Sequence, residues 1–247
     1  MPGTTRVRLV SFADGPFAPR AVRFCWEAAR MELFDEIRVY NAARLPAAFR
    51  YRHLRYMQTH RRGFGYWIWK PQVILAALQD SAPGDQVVYL DVGFTLNRSG
   101  RPRLQEYLEI AQDSRQRMLS FQSVHTEAHW TKGDLAHRLS VQNRPAVMNT
   151  SQLSSGFLIL GNTPENLALV QQWQMLATES SYRYSDDSPS RLPNHPEFCE
   201  HRHDQSISSL LRKLRGTAVT HYEVQPYDKY FMGQRRRLPA WATRSRR

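Results

Sequence analysis

The chain has 247 residues, 34 Lys and Arg against 22 Asp and Glu, a formal net charge of +12, and a 41% share of hydrophobic residues. That length and apolar share exclude a disordered chain and suit one large α/β domain, while the charge calls for an anionic partner without naming it. Two cysteines, Cys25 and Cys199, are too few for a disulfide framework, and neither a signal-peptide core nor a membrane-length apolar run is present, so a cytoplasmic chain that touches a membrane only through its surface is expected.

Arg6 to Phe12 reads as a first buried strand, ended by the turn Ala13-Asp14-Gly15-Pro16. Val22, Cys25, Trp26, Ala29 and Leu33 give helical spacing over residues 21–34, and Ile37 to Tyr40 is a second strand. This βαβ opening predicts a parallel sheet. An aromatic and basic stretch follows from Phe49 to Lys70, then a helix from Pro71 to Gln79 with proline at its start. Gln86 to Leu90 is a strongly β-forming strand that ends at Asp91-Val92-Gly93. Strands are predicted again at 116–121, 156–160 and 219–224. Helices are predicted at 163–177, with Thr163 as cap, and at 203–214, after a polar loop over 182–200. The expected architecture is a single α/β, Rossmann-like domain over residues 1–233 with a mostly parallel sheet, followed by a basic tail over 234–247.

Two segments carry chemistry by their own physics. A hydrophobic strand that ends in Asp91 places a carboxylate at the carboxyl edge of a parallel sheet, where open α/β sheets bind ligands. There it can meet a divalent cation or a ribose hydroxyl. In GFGYWIWKP, glycines permit close backbone approach, aromatics offer stacking walls, and Lys70 stands beside a helix N-terminus, a combination suited to an anion such as a phosphate.

The strand end YLDxG is similar to the Asp-x-Asp strand end of GT-A glycosyltransferases such as the family-eight galactosyltransferases, with Gly93 in place of the second Asp. Taken in order, GFGYWIWKP, VVYLDVG, WTKGDL, SSGFLIL and EHRHDQSISSLL resemble a bacterial glycosyltransferase-like family associated with surface polysaccharides. The resemblance implies a GT-A-like fold and transfer of a sugar from a UDP- or GDP-sugar donor to a glycan or lipid-linked acceptor. It implies that Asp204 bonds the donor sugar and that Gln205 lies near its anomeric centre, which favours a retaining course. It places Ser154, Ser155 and Gly156 against the donor sugar and Asp14 near the nucleotide. Asp at a helix start ordinarily serves as an N-cap, which is the alternative reading of Asp204.

Asp91 and His221, the latter near the end of the last strand, are the candidate metal ligands for Mn²⁺ or Mg²⁺. Because Gly93 supplies no side chain, weak or unusual metal dependence is expected. Lys70, with Arg235 and Arg236 of the tail, is a candidate for holding the donor diphosphate. Trp130, Lys132 and Asp134 are candidates for the acceptor side. Two rival readings remain, a basic nucleic-acid-binding protein and a non-catalytic sugar-binding relative. The basic residues are scattered and no nucleic-acid module is visible, so nucleic acid is not the expected partner, whereas contact with an anionic membrane fits the charge.

Overall fold

The computed structural model describes residues 5–221, 223–224 and 237–244, so Arg235 and Arg236 lie outside the described residues. β1 (Val7–Phe12) runs through α1 (Arg20–Ala29) to β2 (Glu36–Tyr40), which pairs with it in parallel, Leu9 opposite Ile37. A longer crossover through α2 (Ala47–Thr59), the single turn α3 (Gly63–Tyr66) and α4 (Trp69–Gln79) leads to β3 (Gln86–Leu90), parallel to β1 on its other side. After β4 (Thr95–Leu96) and α5 (Arg101–Asp113), β5 (Met118–Thr126) is joined to β6 (Ser151–Gly161) by α6 (Glu127–Trp130), α7 (Gly133–Arg138) and α8 (Pro145–Met148). α9 (Pro164–Thr178), a long loop, α10 (His203–Arg215) and β7 (Ala218–His221) follow, and β8 (Ala240–Trp241) returns to pair with β4.

The sheet order is β2-β1-β3-β6-β5-β7. β6 runs antiparallel to both its neighbours, β3 and β5, while the other pairings are parallel. Five strands of this six-stranded sheet therefore point the same way, and the expected α/β domain with a mostly parallel sheet is what the chain forms. Alternation along the strands splits the core into two layers. Leu9, Val88, Leu90 and Ile159 face Phe24 of α1, Met31 just after it, and Leu104 and Tyr107 of α5. Val10, Val87, Tyr89 and Leu158 face Met57 of α2, Ile74 of α4, Trp173 of α9 and Ile207 of α10. No described helix is long and apolar enough to cross a membrane.

Some boundaries differ from the sequence reading. α1 stops at Ala29, and Glu32 takes a left-handed φ of 52°, which ends any continuation toward residue 34. The 49–70 stretch holds most of a helix, α2, which begins at Ala47. β7 ends at His221, short of 224. The WTKGDL segment spans the end of α6 and the start of α7, and Lys132 and Asp134 are buried.

Candidate active site

Parallel pairing brings the carboxyl ends of β1 and β3 to one edge, and α4 and α10 start there too. The turn before α4 is unusual. Gly63, Phe64, Gly65, Tyr66 and Trp67 have φ of 57°, 51°, 79°, 54° and 60°, a left-handed helical turn closed by Trp67 N–H to the Gly63 carbonyl at 3.2 Å. Left-handed geometry costs an L-residue about 1–2 kcal/mol, so the glycines lighten the turn while Phe64, Tyr66 and Trp67 carry strain. The aromatics offset it by packing: Trp69 lies 3.9 Å from Phe12, centroid to centroid, and its indole N–H donates to the Gly63 carbonyl at 2.9 Å. Strain held by dense packing is characteristic of functional sites. The turn delivers Lys70 into the interior beneath β6.

Lys70 is 2% exposed. Its ammonium lies 2.7 Å from Asp204 Oδ2 and 3.3 Å from Asp91 Oδ1, and donates to the Ser155 carbonyl and hydroxyl, both at 3.3 Å. Burial opposes its charge, but Asp204 and then Asp91 outweigh burial and hold its pKa above the ordinary lysine value. The expectation that Lys70 grips the donor phosphate is therefore corrected: the ammonium is enclosed and engaged by two carboxylates.

Asp91 has a different standing from Asp204. Its side chain is 37% exposed. Oδ1 accepts the Tyr89 hydroxyl at 2.6 Å, and burial together with that carboxylate raises Tyr89 well above its usual pKa, which keeps the phenol a donor. Oδ2 lies over Gly156, where a Cβ would come within 2.9 Å of it. Gly156 thus keeps the outer face of Asp91 open, and its carbonyl accepts the Asp91 N–H at 2.9 Å.

Asp204 is buried in the first turn of α10 without capping it, since the N-cap is Arg202 and carries no side-chain cap bond. Oδ2 takes both Lys70 and the Ser155 hydroxyl, the latter at 2.7 Å; among the described residues no hydrogen bond reaches Oδ1. Gln205 is turned inward: Oε1 accepts the Ser155 N–H at 3.3 Å and Nε2 donates to Gln152 at 2.7 Å. The Ser154 hydroxyl accepts the Gly156 N–H at 3.1 Å. Lys70, Asp91, Ser155, Asp204 and Gln205, far apart in sequence, are thus joined by direct contacts.

The other candidates stand apart. Asp14 lies at the same sheet edge, but its two oxygens accept the backbone N–H groups of Gly15 and Ala42, each at 2.7 Å, so it ties two loops. At Gly93 the backbone of Arg244 passes 3.4 Å from where a Cβ would stand, which brings an exposed arginine to the rim. Lys132 donates to Asp186 and Ser188, and Asp134 accepts the N–H groups of Arg191 and Leu192, each at 3.0 Å; both anchor the long polar loop rather than face an acceptor. Trp130 packs against His125 and under Arg202. His221 ends β7, three strands from β3 in the sheet order, so strand spacing of about 4.8 Å puts it roughly 14 Å from the β3 end.

Asp91 and His221 are therefore not co-ligands. Among the described residues no group of three or more His, Cys, Asp or Glu side chains is placed to hold a metal, and the Lys70 ammonium takes the position between the two site carboxylates that a cation would seek. The residues do not fit a protein-built metal cage. Concavities of 780 and 640 Å³ lie along α7 and the long loop, and neither is lined by Lys70, Asp91 or Asp204.

Beneath the site lies a support that the sequence reading missed. Glu127 is fully buried and accepts from Thr131 at 2.8 Å, Gln152 at 3.0 Å, Lys213 at 2.9 Å and Ser209. Arg212, pushed down to about 9 by burial, donates to the Leu153 and Ser154 carbonyls at 3.0 and 2.9 Å. Together they fix β6 just before Ser155. The sequence signal is Ser206 and Ser209 at i and i+3 of a helix whose neighbours Ile207, Leu210 and Leu211 are core residues, since buried hydroxyls demand partners.

His201 and His203 are buried, bonding the carbonyls of Tyr184 and Ser185 at 2.9 and 2.8 Å. Burial pushes His201 well below, and His203 below, the ordinary imidazole range. The unfolded chain takes up these protons below about pH 6.5 while the folded chain resists, so stability is full above that pH and declines as pH falls through it. Melting temperatures are expected to drop from about pH 7.5 to about pH 5.5, with a shallower slope for His201→Gln. A flat wild-type profile would contradict this.

No protein-family profile matches the chain, and no curated protein sequence is similar to it. Solved structures with a similar course of chain include a glycosyltransferase involved in glycosylation of the major capsid of PBCV-1, at 8% identity, TM-score 0.48, over 96% of this chain and 92% of that one. They also include mouse xyloside xylosyltransferase 1, at 12% identity, TM-score 0.41, over 88% and 84% of the two chains. A third is the galactosyltransferase LgtC in complex with donor and acceptor sugar analogues, at 14% identity, TM-score 0.44, over 94% and 83%.

Proposed function

We propose that the chain is a glycosyltransferase that moves a sugar from a nucleotide-sugar donor to a glycan or lipid-linked acceptor. The observation that carries this reading is the junction of Asp91 and Asp204 on the Lys70 ammonium at the carboxyl edge of the sheet. These are the residues that the GFGYWIWKP, YLDxG and HRHDQS motifs single out, and open α/β sheets take their ligands at that edge.

The chemistry follows from which atoms are free. Two carboxylates and one ammonium leave the cluster with one net negative charge, unsuited to a diphosphate but suited to sugar or ribose hydroxyls, which donate to carboxylate oxygens. Asp91 Oδ2 and Asp204 Oδ1 are the oxygens left for them. The diphosphate goes toward the rim at Gly93, where Arg244 can meet the charge that develops as the nucleotide leaves. Lys70 and Ser155 hold the carboxylates in place, and Gly156 leaves room for the sugar. A retaining course and a role in surface polysaccharide biosynthesis are parts of the proposal that rest on the motif resemblance, and a cytoplasmic location is a part that rests on the sparse cysteines.

Thermal unfolding in the presence of nucleotides and nucleotide sugars tests the reading, because a ligand that binds the folded state at about a hundred times its Kd stabilises by about 2.7 kcal/mol. A rise in melting temperature with a UDP- or GDP-sugar, little changed by a chelator, is the expected result. A response to DNA or RNA alone, or none to any nucleotide sugar, would sink it. Tight binding of Mn²⁺ or Mg²⁺ to the protein without nucleotide would contradict the metal reading.

A further inference from the structure

Between Glu36 and Asp80 the sequence has no acidic residue, yet it carries a run of arginines. Some find carboxylates in the fold: Arg38 pairs with Glu36 and Asp80, and Arg62 with Asp187 and Glu200. Arg52, Arg55 and Arg61 have no carboxylate within salt-bridge distance among the described residues, and all three are exposed. The first two stand on α2 with Tyr51, which is 94% exposed. At 3.6 residues per turn, Tyr51, Arg52 and Arg55 fall within an arc of about 100°. The opposite side of the helix is anchored by Phe49 and Met57, so this face is held outward. With no acidic residue on α2 and an aromatic in their midst, Arg52 and Arg55 give the helix a one-signed outer face.

We propose that this face of α2 docks the protein on an anionic lipid bilayer. Arginines that project from one convex helix face match a planar array of acidic headgroups, and each cation near such a surface adds to binding. Tyr51, with an apolar ring and a polar tip, suits the headgroup layer. A nucleic-acid strand would fit better in a basic groove with walls on both sides than on one outward helix face. α2 also runs into the left-handed turn that delivers Lys70, so docking on this face sets the candidate active site near the bilayer. The inference goes beyond sugar transfer and does not depend on it.

The test is co-sedimentation of the full chain with vesicles of phosphatidylcholine alone or mixed with phosphatidylglycerol. The expected result is binding to the mixed vesicles only, weakened by salt. In the double variant Arg52→Glu and Arg55→Glu, binding falls by roughly thirtyfold or more, and Tyr51→Ala weakens it further. The comparison is Val22→Ser with Trp26→Ala, an exposed apolar pair at 79% and 58% on α1, across the sheet, which is expected to leave vesicle binding unchanged. Circular dichroism and the response to nucleotides, expected to match wild type, keep a folding defect and a failure of the sugar-transfer reading distinguishable from a failure of docking. Equal binding to neutral vesicles overturns the proposal, as does indifference to the α2 charge reversal or loss through the α1 pair. So does a preference for duplex DNA that disappears in the α2 variant while vesicles are ignored.

Discussion

Replacement of Lys70 by Met is expected to cost the fold about 3–5 kcal/mol, because it strands a buried charge. Lys70 is 2% exposed, and its strongest partner, Asp204, is 4% exposed. Methionine fills similar volume, so the loss reads chiefly the missing ammonium and not a cavity. The two carboxylates respond differently. Asp91 keeps the Tyr89 hydroxyl and a side chain open to water, so it tolerates the loss. Asp204 keeps only the Ser155 hydroxyl and must take up a proton or force water into the site. The double variant Lys70→Met with Asp204→Asn is therefore expected to be more stable than Lys70→Met alone, a non-additivity that distant, independent sites do not show. Denaturant unfolding of the two single variants and the double gives the coupling. A Lys70→Met loss below about 1 kcal/mol, the scale of an exposed pair, would mean that the cluster is solvated and that Lys70 does not hold it together.

How much of this was legible in the sequence depends on how local the cause is. The strand Gln86–Leu90 and its terminal Asp91 read directly, because a short apolar β-branched run before Asp-x-Gly has few other uses. The helix from Pro164 was announced by Thr163 and its proline, and Thr163 does accept the Asn166 N–H. α5 buries Leu104, Tyr107, Leu108 and Ala111, an i, i+3, i+4, i+7 set that a systematic count of the pattern displays. α2 is harder to read, since its inward positions include His53 and Tyr56 beside Phe49 and Met57, and no clean apolar stripe results. The antiparallel placement of β6 was not legible, because strand order is decided by which faces meet and not by the segment's own composition.

The motif residues Lys70, Asp91, Ser155, Asp204 and Gln205 stand out in the sequence, but the contacts that join them do not. Lys70 beside a helix start looks like a phosphate hook. Only the left-handed turn at residues 63–67, which no propensity predicts for Phe64, Tyr66 and Trp67, turns it inward beneath Ser155. Asp134 and Lys132 were read as acceptor-side candidates; their burial follows from the distant 182–200 loop, whose N–H groups and carbonyls need partners. Glu127 gave no signal of its own, since all its partners but the nearby Thr131 lie on β6 and α10, brought to it by the tertiary fold.

Asp204→Asn separates a structural carboxylate from one that meets the substrate. Asparagine keeps the shape and can keep one acceptor for the Ser155 hydroxyl. Lys70 retains Asp91 at 3.3 Å, so the ammonium is not left alone, and the fold is expected to lose only about 1–3 kcal/mol. The helix start is indifferent to the change, because Asp204 does not cap it. Turnover is a different matter. If Asp204 Oδ1 accepts a donor-sugar hydroxyl as the glycosidic bond breaks, Asn loses the charge and offers either an amide N–H₂ or a weaker acceptor at that point. Removal of one preorganised group of this kind costs about a hundredfold to a thousandfold in kcat. The expected result is thus a fall in kcat of that size at temperatures where the variant is still folded, with donor KM changed much less. The measurement pairs steady-state kinetics, with the nucleotide sugar that raises the melting temperature most, with the melting curve of the same preparation. A variant with near-normal kcat would leave Asp204 as a partner of Lys70 and Ser155 and nothing more, and would move the search for the sugar-binding carboxylate to Asp91.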